Sequence, residues 1–190
     1  MKQPRIFPIL LAAGKPSRPK VQNAPINLSG RTPLQIAVEN CPDLERPIVV
    51  LGFESEHLHP TVPVSARIVI NRNWRAGQLS SLLAGLRKVP PDGAFLLYPT
   101  DLVFLTRPLI RRLAAAFLRC TKHQKIVMPV HRGRDGHPVV FAAELRGELT
   151  GSQTARDVVY RDPRRIKRVR VSTSAIWRDL GAPPAGSGRT

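Results

Sequence analysis

Acidic residues and cysteines are both scarce in this 190-residue chain: 13 Asp and Glu stand against 30 Lys and Arg, and there are two cysteines. Cys41 and Cys120 form no CxxC pair and have no histidine at ligand spacing. That leaves a disulfide or zinc reading with little support, and both are expected to be buried free thiols in helical segments. No apolar run approaches the roughly 18 residues needed to span a bilayer, and the N-terminal apolar stretch, residues 6–13, runs into Gly14-Lys15 rather than a cleavage site. The expectation is a cytoplasmic protein without a membrane partner. Aromatics make up only 5% of the chain, which bears on its net charge of +17. So basic a chain attracts polyanions, but its cations are scattered. The densest block, residues 161–170, has Tyr160 beside it and no interleaved aromatics for base stacking. It reads as a solvated edge strand in which Ile166, Val169 and Val171 alternate with cations that discourage edge pairing. Nucleic acid is therefore the least favoured partner.

What is present in quantity is apolar sequence, 42% of residues, enough for one domain with a sizeable core. Residues 6–13, 47–51, 66–70, 94–98 and 125–130 are apolar runs of strand length, mostly separated by helix-length segments. Such alternation implies a mostly parallel sheet with crossover helices. Thr32 followed by Pro33 predicts a capped helix start, with Leu34, Ile36 and Val38 inward and Pro42 as its end. Leu79, Leu82, Leu83 and Leu86 mark the core face of a second helix. A third follows Thr106-Arg107-Pro108, with Leu109, Ile110, Leu113, Ala116 and Phe117 inward. Gly151-Ser152-Gln153 resembles a capped start for a further helix. The expected domain runs over residues 1–182, and the Pro-, Gly- and Ser-rich tail, 183–190, is expected to be disordered.

The segment Ile9-Leu10-Leu11-Ala12-Ala13-Gly14-Lys15-Pro16-Ser17-Arg18 carries the first chemical signal. An apolar strand enters a glycine turn followed by cations and a hydroxyl, the layout of a phosphate-binding loop. In an open parallel sheet, ligands bind beyond the carboxyl ends of the strands. Gly14 ends the first strand and Asp101 follows the fourth, so both belong at that rim. Gly77-Gln78-Leu79-Ser80-Ser81 opens a helix whose N–H groups suit a phosphate; Ser80 and Ser81 cannot both cap it, which leaves one for a ligand. His137, between Gly136 and Pro138, sits on a tight turn near a strand start. His57, His59, His123 and His131 read as surface groups.

Four segments in order and spacing resemble the MobA-like nucleotidyltransferases, in particular their molybdenum cofactor cytidylyltransferase branch. They are the loop just quoted, Asn71-Arg72-Asn73-Trp74-Arg75-Ala76-Gly77-Gln78-Leu79-Ser80-Ser81-Leu82, Thr100-Asp101, and Gly136-His137-Pro138-Val139-Val140-Phe141. The resemblance spans residues 6 to about 182. It implies a three-layer α/β/α, Rossmann-like fold of the nucleotide-diphospho-sugar transferase kind. It also implies transfer of CMP from CTP to a phosphorylated acceptor such as molybdopterin, with Mg2+ as cofactor and a molybdoenzyme among the partners. On this resemblance Leu11, Ala12, Ala13, Gly14, Ser17, Arg18, Lys20, Ser80 and Ser81 bind the nucleotide. Arg18 and Asp101 are catalytic, Asp101 and Asp179 hold the metal, and His137 meets the acceptor, with a purely structural histidine as the alternative.

The chain departs from the family pattern in the loop and at the end. Pro19-Lys20 stands where Met-Gly is usual, Asn23 occupies the loop lysine position, and Gly181 replaces the second closing carboxylate. These departures leave a second reading open, a binder of nucleotide or cofactor on the same fold without turnover.

Overall fold

A computed structural model describes residues 3–15 and 30–179. Ser17, Arg18, Lys20, Asn23 and the 183–190 tail lie outside the described residues. Eight strands form one mixed sheet. β1 (Ile6–Ala12) is flanked in parallel by β2 (Ile48–Leu51) and β4 (Ala94–Pro99), and β3 (Arg67–Ile70) extends β2 in parallel. Beyond β4 runs β7 (Val139–Ala142), antiparallel, then β5 (Ile126–His131). β6 (Arg134–Asp135) pairs with the far end of β5, and β8 (Ile166–Arg170) closes the sheet as a parallel edge on β5. The sheet is thus mostly parallel with helices on both faces.

Every residue of β1 is buried, because both faces of a central parallel strand are covered. Its alternation divides the core in two. Ile6, Leu10 and Ala12 join the layer under α1 (Pro33–Glu39) and α4 (Arg107–Leu118), together with Leu58 of the single turn α2 (Ser55–Leu58). Phe7, Ile9, Leu11 and Ala13 join the layer under α3 (Gln78–Leu86), α5 (Arg146–Thr150) and α6 (Ala155–Tyr160). Leu82 and Leu86 of α3 are fully buried while Leu79 and Leu83 are half-buried. Gly85 lies flush on the sheet: a Cβ there would come within 2.7 Å of Ile9 Cγ2 and 2.9 Å of Val50 Cγ2.

Thr32 caps α1 as its sequence predicts, in a reciprocal box with Gln35. The expected start at Gly151 is wrong. Gly151 closes α5, and α6 begins at Ala155 behind Thr154, whose side chain accepts from Asp157 N while Asp157 accepts from Thr154 N. Residues 161–170 do form an edge, but not a merely solvated one. Arg165 pairs with Glu148 at 2.7 Å, Arg168 with Asp135 at 2.9 Å, and Lys167 Nζ donates to the carbonyls of Ala116 and Arg119. His131 is no surface group either, since its Nδ1 lies 2.8 Å from the Val171 carbonyl and its ring packs against Trp177.

The cysteines sit just beyond helices rather than inside them. Cys120 is only half-buried, whereas Cys41 is buried and burial pushes its thiol up to about 12. Since the thiolate is the reactive form, Cys41 should resist iodoacetamide at about pH 8 in the folded protein and become fully labelled in guanidinium. Mass spectrometry of the alkylated chain reads the result.

Candidate active site

The carboxyl ends of β1 to β4 build one rim. After β1 the Ala13 carbonyl accepts a hydrogen bond from Phe53 N at 2.9 Å, tying the Gly14 turn to the end of β2. Gly52 has no room for a side chain there, as a Cβ would lie 2.6 Å from Trp74 Cβ and 2.7 Å from the Ala13 carbonyl. Trp74 is a packing residue: it meets Phe53 edge-on at 5.5 Å and carries the Arg75 guanidinium 4.6 Å above its ring. Leu11 and Ala12 are strand residues whose side chains are core, and the Leu11 carbonyl accepts from Thr100 Oγ1 at 2.9 Å. They frame the rim through backbone alone.

The serines are placed differently from expectation. Neither caps α3. The buried Asn71 at the end of β3 donates to Ser80 Oγ at 2.9 Å and Ser81 Oγ at 3.0 Å, while its own oxygen accepts from Asn73 N. The Ser80 hydroxyl also lies 2.8 Å from the Gly77 carbonyl. A single amide with two donors fixes both hydroxyl oxygens at the rim. α3 starts at Gly77, φ 96°, without any side-chain cap. Ser80 N donates to the Gly77 carbonyl at 3.2 Å, so the N–H groups of Gln78 and Leu79, which lack intrahelical acceptors, are what this end presents to an anion.

Asp101 and Asp179 come together on the wall of a cavity of about 410 Å3, as does His137. Burial raises the Asp101 carboxyl above the usual range, and the charge of Asp179 adds to the rise. Two carboxylates that repel across one wall suit a hard cation with oxygen ligands. Among the described residues no group of three or more His, Cys, Asp or Glu converges on a point; the candidate centre is this pair.

His137 is anchored by its backbone, which donates to the Ile176 carbonyl at 2.7 Å, and its bond to Pro138 is cis. Gly136 makes this approach possible, because a Cβ would stand 2.6 Å from that same carbonyl. Burial lowers the imidazole's pKa, partly opposed by a hydrogen bond to the Leu97 backbone.

Four further residues of this cavity escaped the sequence reading. Arg134 stacks over Trp177 at 4.8 Å and Arg156 over Tyr160 at 5.2 Å, and all four line the wall. Tyr160 Oη donates to Asp135, which also holds Arg168. The capping box at Thr154 was the available signal for Arg156, since it fixes where α6 begins. Nothing local marks the others.

This sandwich, with its cavity at the carboxyl end of β4 and against β5 and β7, is the nucleotide-diphospho-sugar transferase fold. The MobA-like NTP transferase domain model matches residues 8–169, and the chain belongs to that family. Its fold recurs in Rv0371c from Mycobacterium tuberculosis H37Rv, with a TM-score of 0.74 at 19% identity over 95% of this chain and 94% of that one. The manganese complex of Rv0371c gives 0.72 at 20% identity over 90% of each chain. 4-Diphosphocytidyl-2C-methyl-D-erythritol synthase from Anaerococcus prevotii DSM 20548 gives 0.70 at 15%, covering 95% and 92%. CMP:2-keto-3-deoxy-manno-octonic acid synthetase complexed with CTP gives 0.67 at 10%, covering 89% and 90%. No curated protein matches this sequence. Among the described residues no helix is long and apolar enough to cross a membrane.

Proposed function

We propose that this chain transfers CMP from CTP to a phosphorylated acceptor such as molybdopterin, with magnesium, and hands the product to a molybdoenzyme. The observation that carries the reading is the shared position of the β1 glycine turn, the uncapped start of α3 and the Asp101–Asp179 pair at one end of the sheet. The cytidyl chemistry in the names of two structural neighbours supports CTP, and the manganese complex of a third supports a divalent metal.

In this reading Ala13, Gly14 and the first turn of α3 present backbone N–H groups to the triphosphate, with Ser17, Arg18 and Lys20 as its side-chain contacts. Asp101 and Asp179 would hold magnesium, which when bound neutralises phosphate charge as pyrophosphate departs. The acceptor lies in the adjoining cavity and its phosphate oxygen attacks the α-phosphorus in line. No side-chain nucleophile is required, since phosphoryl transfer depends on positioning and electrostatics.

Incubation with each of the four nucleoside triphosphates, magnesium and molybdopterin tests this. Pyrophosphate release is expected with CTP and only when the acceptor is present. Nucleotide binding without release would favour the binder reading, for which Asn23 at the loop lysine position is the specific observation. Absence of both binding and release with every nucleotide would overturn the two together.

A further inference from the structure

Two carboxylates that repel must be held where they stand. Asp101 and Asp179 line one wall, yet they belong to segments distant in sequence, and like charges move apart unless the chain restrains them. The first segment is stiff. Leu102, Val103 and Leu105 are buried, and the Asp101 and Leu102 carbonyls accept from Val103 N and Leu105 N. The second segment is fixed as far as Ile176, which is fully buried and whose carbonyl is taken by His137 N. Asp179 follows a single turn of chain later.

The two segments meet at Phe104 and Arg178. Phe104, on the loop that Asp101 opens, is 37% exposed. The guanidinium of Arg178, the residue before Asp179, lies 4.2 Å from the centre of its ring. Arg178 Nε is shielded from solvent and has no hydrogen-bond partner. A phenyl ring left in water and an arginine nitrogen sheltered without a bond are each unfavourable. Here the two cover one another in a cation–π contact, at the point that joins the two carboxylate segments.

We propose that Phe104 and Arg178 are positioning residues, whose stack sets the spacing of Asp101 and Asp179 and keeps the pair assembled before a cation arrives. A divalent ion then meets a site that need not be gathered around it. This rests on the pair being the metal site, as in the proposed function.

The tests need neither nucleotide nor turnover. In metal-free wild type, 15N relaxation should give the Asp179 amide an order parameter of about 0.85, and Phe104→Leu should lower it below about 0.6. Manganese alone, titrated and read by electron paramagnetic resonance, should bind Phe104→Leu and Arg178→Gln roughly tenfold more weakly than wild type, the low end of what supporting groups contribute to metal affinity. The double variant F104L/R178Q should bind it no more weakly than either single variant, because both remove the same contact. Phe104→Tyr and Arg178→Lys keep a ring and a cation, and should stay within about threefold of wild type.

A mobile Asp179 amide in wild type would overturn the proposal, and that measurement stands even if the variants fail to fold. Unaltered manganese affinity in the two single variants would overturn it too and leave the metal reading standing, as would additive losses in the double variant or equal losses in the conservative ones. A wild type that binds no manganese would overturn this proposal and the metal reading together. A silent transferase assay with the expected results intact would sink the nucleotidyl reading alone.

Discussion

If Asp101 holds the metal as proposed, Asp101→Asn should lower magnesium-dependent kcat/KM for CTP by roughly a hundredfold or more, because even groups one shell removed from a metal are worth about 10–100-fold. The amide keeps the shape of the side chain and loses its charge, so the cavity survives while the proposed cation site would be left with Asp179. A neutral amide oxygen is a poorer ligand for a hard, strongly hydrated ion. The effect should appear as weaker nucleotide binding in magnesium and little change in its absence. Calorimetry with and without the metal separates the two, and circular dichroism confirms the fold. An Asp101→Asn protein that binds magnesium-nucleotide like wild type would reduce this aspartate to a loop residue and remove the centre of the assigned site.

Gly85→Val should destabilise the domain by about 3 kcal/mol, at the upper end of overpacking costs. For a domain of this size that is a fall in Tm of roughly 6–12 °C. Valine gains a few tenths of a kcal/mol over glycine in helix propensity, but its Cβ alone would press on Ile9 Cγ2 and Val50 Cγ2. Both neighbours are β-branched residues of fully buried strands, stiff at χ1 and without space to yield. Relief comes only by lifting α3 from the sheet. Differential scanning calorimetry gives the shift; an unchanged midpoint would show that α3 is not seated as closely as described.

The layers of this fold were legible because period and length decide them. Buried runs such as that of β1 and the inward face of α4 announce themselves over several residues each. Short signals were legible only where they were unambiguous: Thr32 followed by Pro33 marks a cap, whereas Gly151-Ser152-Gln153 has the same composition as one and instead ends a helix. At the site, Gly14 and Asp101 could be placed on one rim from strand order. The convergence of Asp179 on that wall followed only from the resemblance, since nothing near it in sequence points to Asp101. The cationic arms were out of reach altogether. Arg134 and Arg156 are ordinary exposed arginines in the sequence, and they acquire direction from Trp177 and Tyr160, which the fold brings beside them. The basic block misled in part for the same reason: its carboxylate partners Glu148 and Asp135 lie in other elements.

Asn71 gives the rim a mechanical property. One amide fastens the end of β3, the turn at Asn73 and the opening of α3 to each other, so the N–H groups at the helix start are aimed by the folded chain and not by whatever arrives. A ligand settling there freezes few protein torsions. The entropic cost of orienting those groups, which a floppy loop would charge at each binding event, has already been met once, during folding.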